Sequence, residues 1–336
     1  MTGPLLEQIP ADRREAAREA VAAAFGRAAV TEVAPITTGA SGALIYRLEI
    51  AERPYLLRLE PPQSDQARAY HCMQTAADAG VAPRLYHADP HAGVAIMDFL
   101  PRRPLAEYPT GPAGLARDLG ALAARLQATA IFPAGPFYPV FLGDMLERLR
   151  DSGRFPAGLL DPHREALQHI RAVYPWTYSA LVSSNNDLHP GNIIFDGERL
   201  WVIDWDLGFR NDCFLDVAIL GMHLAATPGL LTTLLQSWRG RPPEPADRAR
   251  VVLMQQLARL FYGCASCLRA GDLGAPPETD LEAPSPAAFW QEVAAGRLQP
   301  GTREMHRVGG KVALVAFRDG LAAPAFAKAL ALLARG

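Results

Sequence analysis

A chain of 336 residues, 49% hydrophobic and 20% charged, is long enough for two domains or lobes and can bury a sizeable core. Its 33 basic and 35 acidic side chains leave a formal charge of −2, which argues against the strong positive field of a nucleic-acid binder and the basic block of a membrane-surface protein. No unbroken apolar run has the length of a membrane span, the N-terminal stretch lacks a secretory-signal pattern, and four cysteines are too few for a disulfide scaffold, so a cytoplasmic protein is expected.

Residues 11–28 carry Ala, Val and Phe at helical spacing among charges and predict a helix. The texture then changes to β-formers interrupted by turn signals at Gly39–Gly42 and Glu52–Pro54, which predicts three antiparallel strands at about 30–36, 43–50 and 55–60. Pro61 and Pro62 stop the third strand. Residues 65–79 predict a helix closed by Gly80, and residues 83–89 and 93–100 a further strand pair. From about residue 112 helices dominate, with apolar residues at three- and four-residue steps over 114–128, 140–150 and 161–173. A short β interlude with a turn at Gly197 is expected over 193–204. Helices follow at about 213–226, 229–238 and 245–270, then a long loop over 271–301 and a closing helix at about 322–335. Cys264 and Cys267 share one face of a helix and read as buried cysteines. A β-rich part followed by a larger helical part is an α+β arrangement.

The chemistry concentrates in residues 183–206. Asp187 and Asn192 stand five apart in a loop containing Pro190 and Gly191, directly before a strand. Asp204 ends the next strand, so a hairpin returns it beside that loop. Three oxygen-bearing side chains then converge, a donor set that suits Mg²⁺ completing its shell with phosphate and water.

Asp187-Leu-His-Pro-Gly-Asn192, followed by Ile203-Asp204-Trp205-Asp206, resembles the aminoglycoside phosphotransferase and choline kinase family, part of the wider protein-kinase-like group. The resemblance covers about residues 30–225 and implies a bilobal α+β protein-kinase-like fold. Residues 1–100 would form a nucleotide-binding lobe, and residues 101–336 a helical lobe with the catalytic loop and acceptor site. It implies ATP and Mg²⁺ as cofactors, Asp187 as the catalytic residue, and Asn192 and Asp204 as metal ligands. The backbone of Gly39, Ala40, Ser41 and Gly42 would approach the phosphates, with Arg58 in the third strand supplying their cation. Met97, Asp98 and Phe99 would read the adenine edge. The acceptor would be a hydroxyl of a small molecule, with no nucleic-acid or membrane partner. The alternative is a nucleotide-binding scaffold without transfer activity, against which the retention of Asp187, Asn192 and Asp204 argues.

Two positions depart from the family pattern. Asn185 stands where the family commonly has His, and no Glu lies in 65–79 to pair with Arg58, leaving Asp65, Gln66, Tyr70 and His71 as nearby polar choices. By resemblance His189 structures the loop and Asp216 supports it from a helix start, while Asp206 touches a second metal or substrate, or caps the next segment. Ile203–Asp206 followed by Arg210-Asn211-Asp212 is similar to bacterial choline or ethanolamine kinase-like members. Trp205, Trp238, Phe261, Tyr262 and Trp290 are candidates for a quaternary-ammonium cage, or are core. Glu278, Asp280 and Glu282 are candidates for a rim facing amino-sugar amines, or are a solvated loop.

Overall fold

The computed structural model describes residues 5–36, 42–60 and 66–335. These divide into two compact units: residues up to 134 with 182–210 and 223–241, and residues 135–181 with 211–222 and 242 onward.

The first unit opens with α1 (Arg14–Phe25) and three strands, β1 (Val30–Ile36), β2 (Leu44–Ile50) and β3 (Arg53–Leu59). Ala51 and Glu52 both have positive φ, 50° and 62°, which gives the β2–β3 hairpin the two-residue turn that matches strand twist. Helix α2 (Gln66–Asp78) and strands β4 (Leu85–Asp89) and β5 (Val94–Asp98) follow. The strands form one antiparallel sheet in the order β1-β2-β3-β5-β4. Alternation along β3 sends Leu57 and Leu59 into a core with Leu48, Ile50, Val94 and Ile96, over which Ala17 and Val21 of α1 pack. Arg58, between the two leucines, therefore leaves by the opposite face, in register with Ala95 of β5. The expected strands are present with ends shifted by one or two residues, and the expected sheet with its inserted helix is correct. The predicted stop at Pro61–Pro62 lies outside the described residues.

Also in this unit are α3 (Gly111–Gln127) and most of a small β assembly. Strand β6 (Val182–Ser184) pairs with β9 (Phe209–Asn211), and β7 (Ile193–Phe195) forms the expected hairpin with β8 (Leu200–Val202). The β6–β9 pair is not marked in the sequence because its three-residue strands carry no measurable alternation and, unlike β7 and β8, are not joined by a hairpin turn.

The second unit is helical: α4 (Tyr138–Asp151), α5 (Asp161–Val173) and most of α6 (Phe214–Leu224). After α7 (Pro228–Arg239), which packs on α3 in the first unit, it continues with α8 (Pro245–Asp272), α9 (Pro286–Ala294), α10 (Arg303–Ala322) and α11 (Pro324–Leu333). Two expectations are corrected. Residues 271–301 are not all loop, because Ser285 caps α9 by accepting from the Ala288 N–H at 3.2 Å. The closing helix is preceded by α10, and Pro324 at the first turn of α11 separates the two.

Among the described residues one helix, α8, is long and apolar enough to cross a membrane by length and composition. Its charges are spaced out, so no unbroken run marks it in the sequence. In the fold it is the central helix of the second unit, packed against α4, α10 and α11, with 56% of its most apolar window buried. Cys264 and Cys267 lie on its buried side as free thiols, and burial pushes both up, Cys267 to about 12. That agrees with buried structural cysteines and disfavours thiolate chemistry.

Candidate active site

The loop leaving β6 is built by asparagines. Asn186 adopts a left-handed φ of 66°, which Asn tolerates, and its amide donates to the Leu207 carbonyl at 2.7 Å. Asn185 is fully buried and uses both ends of its amide. Its Nδ2 donates to the Asp204 carbonyl at 2.7 Å, and its Oδ1 accepts the Asp187 N–H at 3.2 Å. The residue standing in place of the family's His thus ties the Asp187 loop to Asp204. Asp204 itself sits at φ 61°, a left-handed position fixed by that bond.

Asp187 and Asn192 meet directly. Asn192 Nδ2 donates to the Asp187 carbonyl at 2.9 Å and to its Oδ2 at 3.1 Å. This leaves the Asn192 amide oxygen without a donor among the described residues. Ile203 N–H donates to the Asn192 carbonyl at 3.0 Å, so the end of β8 is pinned to the loop just before Asp204. His189 accepts the Gly191 N–H on Nδ1 at 3.0 Å, which leaves the proton on Nε2, 3.5 Å from Asp187 Oδ2. A Cβ at Gly191 would fall 2.5 Å from the His189 ring, so a larger residue there would push the ring from its place. The hydrogen bonding accords with the loop-structuring reading of His189.

Arg58 has the acidic partners that the sequence reading could not assign. Arg58 is 8% exposed, and its guanidinium is paired through Nε with Glu60, and through Nη2 with Asp206 Oδ2 at 3.1 Å. Gln66, the first residue of α2, donates to the other Glu60 oxygen at 2.8 Å. The acid therefore comes from the end of the same strand, and the helix supplies an amide that orients it. Burial would lower the Arg58 pKa, but Asp204, Asp206 and Glu60 together hold it above its ordinary value. For Asp206, desolvation in this crowded site opposes the pull of Arg58 and, with repulsion from Asp204 and Glu60, raises the carboxyl to about 6. Its side chain is still 48% exposed, so solvent screening limits what that shift contributes to stability. Beside this group the buried Tyr70 hydroxyl has no hydrogen-bond partner among the described residues.

Glu60 follows from alternation: residues two apart in a strand share a face, so Arg58 and Glu60 leave the sheet on the same side. Glu60→Ala strands a buried guanidinium. Urea unfolding is expected to show a loss of about 3 kcal/mol, at the lower end for breaking a buried pair because Asp206 still faces Arg58. A loss within about 0.5 kcal/mol, as for an ordinary surface change, contradicts the pairing.

The remaining expected site residues are placed unevenly. Gly39, Ala40 and Ser41 lie outside the described residues, and Gly42 has open space around it. Met97 is a buried residue of β5. Asp98 is already engaged, its N–H with the Arg84 carbonyl at 3.0 Å and its carboxylate with the Tyr86 hydroxyl at 2.9 Å. Phe99 packs under Arg47, with the guanidinium carbon 5.6 Å from the ring centre.

The candidate cage rings each have partners of their own. Trp205, 1% exposed, packs edge-on to Phe132, which makes it core. Trp238 donates to Gln127, Phe261 packs with Phe141 and Tyr262, and Trp290 with Phe289. Two of the three candidate rim acids are likewise occupied. Glu278 is paired with Arg154, Arg307 and Lys311, and Lys311 also donates to Asp280 at 2.8 Å. That bond, first among several, holds the Asp280 carboxyl at about 2.

The donor set fits a magnesium ion. Among the described residues no group of three His, Cys, Asp or Glu side chains forms a dedicated metal cage. One carboxylate, Asp204, and one amide oxygen, Asn192, are what Mg²⁺ uses when phosphate and water fill the rest of its shell.

The family model described as phosphotransferase enzyme family matches residues 32–251. No curated protein matches the chain. Among solved structures, a choline/ethanolamine kinase family protein from Mesorhizobium loti superposes with a TM-score of 0.72 at 21% identity, covering 96% of this chain and 100% of that one. A choline kinase from Streptococcus pneumoniae gives 0.59 at 17% identity over 78% of this chain and 92% of that one. A spectinomycin phosphotransferase in complex with ADP and spectinomycin gives 0.55 at 12% identity over 91% and 94%. At these identities the structures speak for a shared protein-kinase-like α+β fold, and the family match for the chemistry. The chain belongs to the phosphotransferase enzyme family, the group of aminoglycoside phosphotransferases and choline kinases, and is a small-molecule kinase acting on hydroxyl groups.

Proposed function

We propose that the protein is an ATP- and Mg²⁺-dependent kinase that transfers the γ-phosphate to a hydroxyl of a small amino alcohol of the choline or ethanolamine type. The observation that supports the reading is the hydrogen-bonded unit of Asp187, Asn192, Asn185 and the Asp204 main chain, which ties together the two segments that carry the acceptor-side carboxylate and the metal ligands of this reading. In this reading residues 1–100 hold the nucleotide, and residues 101–336 supply the catalytic loop and acceptor site. The amino-alcohol class is supported by the choline and ethanolamine kinases among the structural neighbours. Two of the three acids that would have received an amino sugar, Glu278 and Asp280, are paired with Arg154, Arg307 and Lys311.

Phosphoryl transfer asks for positioning and charge neutralisation more than covalent help. Asp187 accepts a hydrogen bond from the acceptor hydroxyl and takes its proton as the oxygen attacks. Asn192 and Asp204 would hold Mg²⁺, which neutralises phosphate charge when bound. Arg58, oriented by Glu60, presents a permanent cation to the phosphates, together with the backbone of Gly39–Gly42. Met97–Phe99 form the adenine-reading segment; with Asp98 engaged by Arg84 and Tyr86, the contact falls to its neighbours. A cytoplasmic location fits these substrates. A coupled ADP assay with Mg·ATP against amino alcohols, aminoglycosides and simple sugars tests the function. Turnover with amino alcohols is expected; turnover confined to aminoglycosides or sugars overturns the acceptor class.

Arg58→Ala is expected to raise the KM for ATP and lower turnover together, and Arg58→Lys to recover part of both, because it restores a point charge without the fork. Steady-state kinetics in varied ATP checks this. Unchanged ATP kinetics in Arg58→Ala contradicts the assignment.

A further inference from the structure

The segment after β5 reads Pro101-Arg102-Arg103-Pro104. Its prolines restrict the backbone on both sides of two adjacent arginines. Main-chain groups then fix the arginines in place. Arg102 Nη2 donates to the Gly191 carbonyl at 2.9 Å and Nη1 to that of Ile193 at 3.4 Å. Arg103 N–H donates to the Phe195 carbonyl at 2.8 Å. The Arg103 side chain lies over Gly197, where a Cβ would come within 2.8 Å of Nε. Gly197 has a φ of 110°, so the β7–β8 turn both needs glycine and leaves the room this arginine occupies.

Among the described residues no carboxylate lies within 4.0 Å of the Arg102 or Arg103 guanidinium. Other held arginines of the chain do have acids: Arg58 has Glu60 and Asp206, and Arg150 has Glu147 and Asp161. Partial desolvation lowers the Arg102 pKa, with no carboxylate to offset it. The two arginines border a recess of about 400 Å³ whose other walls are Pro104, Leu105, Pro190 and Ile193. It therefore adjoins the loop that carries Asp187. One fork held on main-chain carbonyls and a second laid over Gly197, both exposed and with no carboxylate among the described residues to pair them, border an otherwise apolar recess and are suited to an anion that brings its own charge and accepts several N–H bonds.

We propose that Arg102 and Arg103 form an anion-binding site for a phosphate group, distinct from the nucleotide-phosphate contacts of Arg58. The phosphate is either free, as an effector, or carried by the acceptor, and the arms of the experiment separate the two. The proposal rests on the kinase reading only for that acceptor arm.

The test is calorimetric titration of the full chain with inorganic phosphate while Mg²⁺ and a non-hydrolysable ATP analogue saturate the nucleotide site. The wild type is expected to bind phosphate under these conditions, and Arg102→Gln/Arg103→Gln to bind it at least about tenfold more weakly while still binding the analogue. Arg103→Gln alone, whose side chain holds no loop carbonyl, keeps the comparison readable when the double variant fails to fold. Equal phosphate affinity in wild type and Arg103→Gln, or loss of phosphate binding once the analogue is present, overturns the proposal. Failure of the analogue to bind would instead count against the kinase reading, and phosphate titration of the free protein would still read the arginine site. In the acceptor arm, glycerol and glycerol 3-phosphate are compared by ADP release. A lower KM for the phosphate-bearing member that Arg103→Gln abolishes places the phosphate on the acceptor. Equal KM values with phosphate binding retained identify free phosphate.

Discussion

Asp187→Asn is expected to lower phosphoryl transfer by roughly 10²–10⁴-fold, the range for removing a positioned base, while nucleotide binding persists. The substitution is conservative in shape. An amide at 187 can still accept from Asn192 Nδ2, and the bonds that fix the loop involve the main chain of residue 187, its N–H to Asn185 and its carbonyl to Asn192. What is removed is the carboxylate's charge and its capacity to take a proton. ADP release and analogue binding, measured on one preparation, separate the two effects. A variant that turns over near the wild-type rate removes Asp187 from the chemistry.

Asp204→Asn is expected to act on the other side of the site. Asn tolerates the left-handed φ of 61° that residue 204 adopts, and Asn185 grips the residue 204 carbonyl rather than its side chain. The loop geometry therefore survives while the carboxylate charge is lost. Mg-dependent nucleotide affinity should fall by at least the roughly 10–100-fold that loss of an outer-shell partner costs a metal site. Asn192→Ala should weaken it less, because an amide oxygen supplies only a dipole. Titrating nucleotide with and without Mg²⁺ reads the difference. Equal affinity for Mg·ATP in wild type and Asp204→Asn contradicts the metal assignment.

Much of this site was legible because its information is local. Asp187, Asn192 and Asp204 lie within a short stretch bounded by Gly, Pro and β-formers, so a hairpin is enough to bring them together. The sheet was legible for the same reason: alternation and turn residues set its register, which fixes the face from which Arg58 leaves. What the sequence hid depends on contacts that close across the chain. Asp206 reaches Arg58 from 148 residues away. The role of Asn185 depends on an Asp204 carbonyl that no side-chain pattern advertises. Glu60 stands two residues from Arg58, on the strand and not on the helix where the family pattern places the acid.

The helical part shows the converse. Helix α10 carries Gly309 and Gly310 in its middle, which weakens the periodic signal and lowers intrinsic helix propensity by about 1 kcal/mol for each glycine. Its formation rests on packing against α8 and on the Thr302 cap, which accepts the Met305 N–H at 3.2 Å. Of the two readings open to the aromatics, core holds for Trp205. Glu278 fits neither a rim nor a solvated loop, because it is buried against three cations that lie far from it in the chain.

The most direct measurement is transfer of radiolabelled γ-phosphate from Mg·ATP to a small amino alcohol, with wild type and Asp187→Asn run side by side and nucleotide binding measured on both. The account predicts labelled product from the wild type, its loss by roughly 10²-fold or more in Asp187→Asn, and equal nucleotide affinity in the two proteins. Wild type that binds Mg·ATP and labels no hydroxyl compound would be a nucleotide-binding scaffold; that result, or undiminished labelling by Asp187→Asn, would contradict it.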